Sequence, residues 1–123
     1  MFDGPALMRV TDATFERVVV RSPLPVVVDF TADWCGPCRG LRPTLRELSA
    51  KLAGRVAFAT ADVDEAAGAV RAYGILALPT YLFLEKGQEK GRAVGPLDPV
   101  AFRGSVRRHF VDAGASDGRP ASR

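Results

Sequence analysis

The chain has 123 residues, 47% of them hydrophobic and 25% charged, enough for one ordinary domain with its own core and unlike a disordered or fibrous protein. No apolar run approaches the ~18 residues of a membrane-crossing helix, so no membrane is expected as a partner. The net charge of +3 lies wholly in residues 101–123, where Arg103, Arg107, Arg108, Arg119 and Arg123 stand against Asp112 and Asp117, with no aromatic after Phe110; a nucleic-acid face would interleave the two, so no nucleic acid is expected either.

Residues 1–6 and 113–123 read as flexible ends around a single domain, 7–112. The first 22 residues lack a basic stretch followed by an apolar one, so no secretory signal is expected and the expected compartment is the cytoplasm. Residues 7–10 suit a short strand. Asp12 reads as the cap of a first helix with apolar positions Phe15, Val18 and Val19, which Pro23 and Pro25 end. Val26-Val27-Val28-Asp29-Phe30 is a continuous β-branched run, suited to a central strand covered on both faces, as in a parallel sheet. A turn leads into a helix over 35–53. Leu41, Leu45, Leu48 and Leu52 share one face of it, and that face extended backwards reaches Cys38. Pro43 is expected to kink this helix, and Gly54 to end it. Residues 56–63 suit a second parallel strand, making a right-handed βαβ crossover.

A short helix is expected from Asp64 or Glu65 to Tyr73, ended by Gly74. Residues 80–85 form a strand, and Lys86-Gly87 turns it into 89–94 as an antiparallel hairpin. Asp98 caps a last helix with Pro99 at its first position, and Leu97 and Phe102 are spaced as a hydrophobic staple. Phe102, Val106 and Phe110 form its inner face, and His109 reads as a solvated residue near its end. The order β-α-β-α-β-α-β-β-α is an α/β fold, a central mixed sheet of about five strands flanked by about four helices.

The chemistry concentrates in Trp34-Cys35-Gly36-Pro37-Cys38. Unpaired N–H groups and the positive end of a helix dipole favour a thiolate, which makes Cys35 the expected exposed nucleophile with a lowered pKa. Positions i and i+3 bring Cα atoms ~5 Å apart, within reach of a disulfide. Cys38, on the leucine face, is expected to be buried and to resolve a mixed disulfide formed at Cys35. A stabilising staple is the first alternative, but closing four residues is worth only ~2 kcal/mol against nearly 5 for a loop of ~100. Half of a zinc site is the second, and with two Cys and one distant His only a dimer would complete four ligands.

Asp29 is a lone carboxylate in a valine-rich strand, costly there unless partnered. Placed beneath the cysteines, with its pKa raised by desolvation, it suits proton transfer to or from Cys38; its alternative is a backbone-bonded structural lock. Pro79 opens the strand expected next to that of Asp29. It is either punctuation or a cis proline that sets backbone groups beside Cys35, free to pair with an extended substrate. Trp34, beside a reactive cysteine, reads as part of a contact surface.

With these residues in order, the chain resembles the thioredoxin family over roughly residues 7–112. The resemblance rests on Val28-Asp29-Phe30, Trp34-Cys35-Gly36-Pro37-Cys38, Pro43, Asp62-Val63-Asp64, Tyr73-Gly74-Ile75, Leu78-Pro79-Thr80 and Gly95. It implies the thioredoxin fold and a monomeric protein-disulfide reductase, with Cys35 attacking a substrate disulfide and Cys38 resolving it. It implies no metal and no bound organic cofactor, the electrons coming from NADPH through a thioredoxin reductase. The implied substrate surface is Trp34, Gly36, Pro37, Leu78, Pro79 and Gly95. Gly-Pro between the cysteines looks like the reducing branch. The resemblance also implies the low thiol pKa that is general behaviour of such pairs in the family. An oxidant or isomerase of the same fold, and a non-catalytic thioredoxin-like binding module, are the alternatives. Two positions depart from the pattern. Thr31 stands where the family commonly has Trp, which is expected to loosen packing beside the site. Thr60 stands where the family often places a Lys against its buried Asp, and without that cation Asp29 is expected to hold its proton more strongly.

Overall fold

The computed structural model describes residues 7–111; the two terminal segments read as flexible lie outside the described residues. Five strands form one sheet in the order β1-β3-β2-β4-β5. They are β1 (Met8–Val10), β2 (Val26–Thr31), β3 (Ala57–Asp62), β4 (Thr80–Glu85) and β5 (Gln88–Val94). β1 and β2 flank β3 in parallel, β4 runs antiparallel to β2, and β5 antiparallel to β4. All six residues of β2 are buried, as its unbroken apolar run requires of a strand covered on both faces.

The two faces of the sheet carry separate cores. Val26, Val28 and Phe30 pack with Phe15, Val19, Ala69 and Leu82 beneath a π-helical turn, Glu16–Val20, and helix α2, Ala67–Tyr73. On the opposite face Val27, Phe58, Tyr81 and Phe83 pack with Leu41, Leu45, Leu48 and Phe102 beneath helices α1, Arg42–Lys51, and α3, Pro99–Val106. The alternation of residues 26–30 between these cores is the period-two geometry of a strand.

Asp98 caps α3 as expected, its carboxylate accepting from the Ala101 N–H at 2.9 Å, and Pro99 occupies the first turn, where its missing N–H costs nothing. Gly74 closes α2 in the left-handed conformation, φ 64°. Lys86 and Gly87 both have positive φ, 51° and 80°, in the two-residue turn of the hairpin.

Three expectations change. Asp12 does not cap the first helical segment; Thr14 Oγ1 accepts from the Thr11 N–H and the Phe15 N–H donates to the Thr11 carbonyl. Asp12 instead accepts from the Gly68 and Ala69 N–H groups at 2.8 and 3.1 Å, capping α2 from 56 residues away. Pro43 does not kink a continuous helix. A 3-10 turn, Gly36–Arg39, ends at Gly40, and α1 starts afresh with Pro43 in its first turn, the one helical place where a residue without N–H breaks no hydrogen bond. His109 is half-buried rather than fully solvated: its ring stacks on Phe83 at 4.5 Å and 11°, and Nδ1 lies 2.8 Å from the Ser105 carbonyl oxygen. Gly91 lies so close to this ring that an added Cβ would collide with His109 Nε2.

Removing the long-range cap isolates its contribution. Asp12→Ala leaves two N–H groups of α2 without their acceptor, and urea unfolding is expected to show a loss of about 1 kcal/mol.

Candidate active site

β2 ends at Thr31, and the chain turns through Ala32 and Asp33 into the cysteines. The Cys35 N–H donates to the Ala32 carbonyl at 3.1 Å, and the Cys38 N–H to the Cys35 carbonyl at 3.3 Å. Cys35 is the N-cap of the 3-10 turn, and Pro37 in its first turn is a position proline tolerates. Cys35 and Cys38 are joined by a disulfide with Cα atoms 5.5 Å apart. They form a small cluster with Ala32, onto which Val63 and Leu78 pack.

The two sulfurs differ in access less than expected. Cys35 is 7% exposed and Cys38 1%. The expectation of an exposed Cys35 is therefore corrected: in the disulfide form it lies at the edge of an apolar groove rather than on open surface. The groove, about 330 Å³, runs along Trp34, Cys35, Val63, Ile75, Leu76 and Leu78. Leu76 is 95% exposed and Trp34 70%, an apolar surface of the kind that marks contact sites. The indole N–H of Trp34 donates to Asp64 Oδ2 at 3.2 Å, which ties the ring to the loop after β3. Arg39 donates to the Asp33 carbonyl at 2.7 Å and braces the turn.

Of the expected contact residues, Trp34 and Leu78 line this groove. Gly36 and Pro37 are exposed in the 3-10 turn and Pro79 is buried. The Leu78–Pro79 peptide bond is cis. The Pro79 carbonyl accepts from the Gly95 N–H at 2.8 Å. Gly95 reaches it with φ 94°, a conformation that favours glycine. Ile75, Leu76 and Ala77 were missed as groove residues. Their signal was an apolar run placed directly after the glycine that ends α2, of which Ile75 is buried in the core while Leu76 and Ala77 stay exposed.

Asp29 lies in the middle of β2, fully buried, opposite Thr60 on β3 and Tyr81 on β4. Neither of its carboxylate oxygens has a hydrogen-bond partner within the protein. It is therefore not the backbone-bonded lock weighed as the alternative. Burial pushes its pKa up to about 7, and the Arg42 guanidinium pulls the other way. As expected with Thr60 in place of a β3 lysine, Asp29 holds its proton more strongly than an ordinary carboxyl, although Arg42 of α1 opposes the effect. Tyr81, buried beside Asp29, is itself pushed above the ordinary phenol value, first by burial and then by that carboxylate. At Thr31 and Thr60, where side chains are small, a polar cavity of about 90 Å³ lies between β2, β3 and Arg42. No cluster of His, Cys, Asp and Glu able to hold a metal occurs among the described residues.

A family model described as Thioredoxin matches residues 6–107. The Thioredoxin of Haemophilus influenzae is 35% identical over 104 residues, covering 85% of this chain and 97% of that protein. The Thioredoxin of Rickettsia bellii is 42% identical over 86 residues, 70% of this chain and 82% of that protein. The chloroplastic Thioredoxin M-type of Spinacia oleracea is 34% identical over 101 residues, 82% of this chain and 56% of that protein.

The buried carboxyl makes stability pH-dependent with a definite sign. An acid whose folded pKa is raised retains its proton in the native state where the unfolded chain has lost it. Stability therefore falls as pH rises from the ordinary value of 3.8 to about 7 and is level above that. Asp29→Asn removes the ionisation, so it is expected to exceed the parent in stability by roughly 3–4 kcal/mol at pH 8. Urea unfolding as a function of pH is expected to show this advantage vanishing near pH 4.

Proposed function

The chain belongs to the thioredoxin family and is a dithiol–disulfide reductase, and on that premise we propose how its residues divide the reaction. The observation that carries the reading is the Cys35–Cys38 disulfide at the edge of an apolar groove, with a fully buried carboxyl in the strand that leads to it.

In the reduced protein the Cys35 thiolate attacks one sulfur of a substrate disulfide. A mixed disulfide forms at Cys35 and the other substrate sulfur leaves as a thiolate. Cys38 then loses its proton, relayed by water to the Asp29 carboxylate, and attacks Cys35 Sγ. The second substrate sulfur departs, and the Cys35–Cys38 disulfide closes. The substrate is reduced by two electrons, and the pair is oxidised by two. A carboxyl held near pH 7 rather than near 4 suits this exchange, because general acid–base transfer is most effective when the pKa lies near the working pH.

Trp34, Leu76 and Leu78 receive the apolar residues beside the substrate disulfide, with Gly36 and Pro37 exposed on the flank. Pro79 and Gly95 shape the backbone next to it. Re-reduction draws on NADPH through a thioredoxin reductase, without a bound organic cofactor or metal. The protein acts as a monomer in the cytoplasm, the compartment whose thiol systems keep such a pair reduced. The C-x-x-C at the groove favours catalysis over a binding module that would use the same surface with no exchange.

The deciding measurement is the reduction potential of Cys35/Cys38, equilibrated with dithiothreitol and glutathione and followed by Trp34 fluorescence. A value at the reducing end of the range for such pairs is expected. A strongly oxidising value would assign the protein to disulfide formation or shuffling, and the absence of any transition would leave the binding module. Cys38→Ser is expected to accumulate mixed disulfides with protein substrates at Cys35, and Cys35→Ser to accumulate none and to lose turnover.

A further inference from the structure

We propose that Arg42 is a positioning residue for the reductase: its guanidinium supplies, from α1, the positive charge that holds the buried Asp29 carboxylate, where the neighbouring strand offers only Thr60. The consequence for catalysis rests on the reductase reading above; the electrostatic coupling itself does not.

Three observations meet at this place. Both oxygens of Asp29 are buried without a hydrogen-bond partner, and so is Arg42 Nε. A buried donor and a buried acceptor group left unmatched by direct bonds are each costly, and here they carry opposite charge. Arg42 is half-buried in the first turn of α1 and lines the polar cavity of about 90 Å³ together with Thr31 and Thr60. Thr60 is the β3 residue in register with Asp29, and Thr31 lies two residues further along the same face of β2. The small side chains of Thr31 and Thr60 thus leave a space that Arg42 lines from α1. No hydrogen bond joins the two groups, so the coupling acts through space, where low-dielectric surroundings weaken a charge pair far less than water does.

The other groups facing Asp29 do not supply this charge. From β4 comes Tyr81, from β3 Thr60, and from the last helix Phe102 packs on the Tyr81 ring at 5.1 Å. Of the two acids around the cavity, Asp33 is exposed, and Asp62 accepts from the Asp64 N–H at 2.8 Å and lies 3.8 Å from Arg9. Arg39, also at the cavity, is held by the Asp33 carbonyl. Arg42 is the cation that acts on Asp29, opposing the effect of burial. By favouring the ionised carboxylate it keeps Asp29 able to accept the Cys38 proton at neutral pH.

The test titrates the Asp29 carboxyl by carbon-13 NMR in the oxidised protein, which needs neither substrate nor turnover. Arg42→Gln is expected to raise the midpoint by on the order of one pH unit, a tenfold gain in proton affinity. Arg42→Lys is expected to stay near the parent. Adding Thr60→Lys to Arg42→Gln returns a cation from β3 and is expected to bring the midpoint back down, which no loss of packing at position 42 would do. In the reduced protein the pH profile of mixed-disulfide resolution is expected to follow the same order. An unchanged midpoint in folded Arg42→Gln overturns the proposal, as does a midpoint that Thr60→Lys fails to lower; should Arg42→Gln not fold, Arg42→Met, which keeps the apolar stem, carries the same comparison. A parent protein without reductase turnover would overturn the functional reading instead, leaving the titration result standing.

Discussion

Complete burial of β2 is the constraint on which the other parts of the structure depend. The strand is hydrogen-bonded on both edges, to β3 in parallel and to β4 antiparallel, and it is covered on both faces by separate cores. A slip of one residue would exchange its two faces, driving Asp29 into the core occupied by Phe30 and Val28. Its register therefore locates everything else. The cysteine turn leaves its C-terminal end. Phe30 pairs with Thr80, so the antiparallel partner begins beside that same end and brings Pro79 and Leu78 to the cysteines. The groove arises where a parallel strand stops and an antiparallel one starts.

Within that frame two opposed effects set the character of Asp29. Desolvation favours the neutral acid and is the larger; the Arg42 charge favours the anion and is the smaller. The order follows from the geometry. Both oxygens are removed from water without a single compensating hydrogen bond, while the cation reaches them only through space. The carboxyl consequently sits near neutrality instead of near its ordinary value, and the strand accepts a loss of stability at neutral pH in exchange for a group that can take or give a proton there.

The groove is held in shape by contacts between distant parts of the chain. Asp12, after β1, caps the helix that leads into Ile75, Leu76 and Ala77. At the other end of that helix Arg92 of β5 donates to the Tyr73 and Gly74 carbonyls at 2.6 and 3.3 Å, while paired with Glu89. Trp34 is moored to Asp64. An apolar surface as exposed as Leu76 keeps a defined shape because polar contacts at its margins fix the backbone that carries it.

The local pattern of the chain was enough for the strands, the βαβ crossover, the hairpin turn, the Asp98 cap and the Gly74 stop, because each depends on residues a few positions apart and on periods of two or 3.6. It also marked Asp29 and Cys35/Cys38, since a carboxylate in a run of valines and a C-x-x-C after a buried strand are unusual within a short window. What it misplaced or missed depends on residues brought together from afar. Asp12 has the composition of a local cap, yet its partners are 56 residues on. His109 looks like a helix-end residue until the sheet presents Phe83 to its ring. Pro43 signals an interruption without saying whether the helix bends or restarts. Arg42 carries no local signal, because its significance comes from Thr31 and Thr60 being small and from Asp29 lying within its field. Only the packing of α1 against the sheet, which closes those separations at once, decides that this arginine acts on that carboxylate.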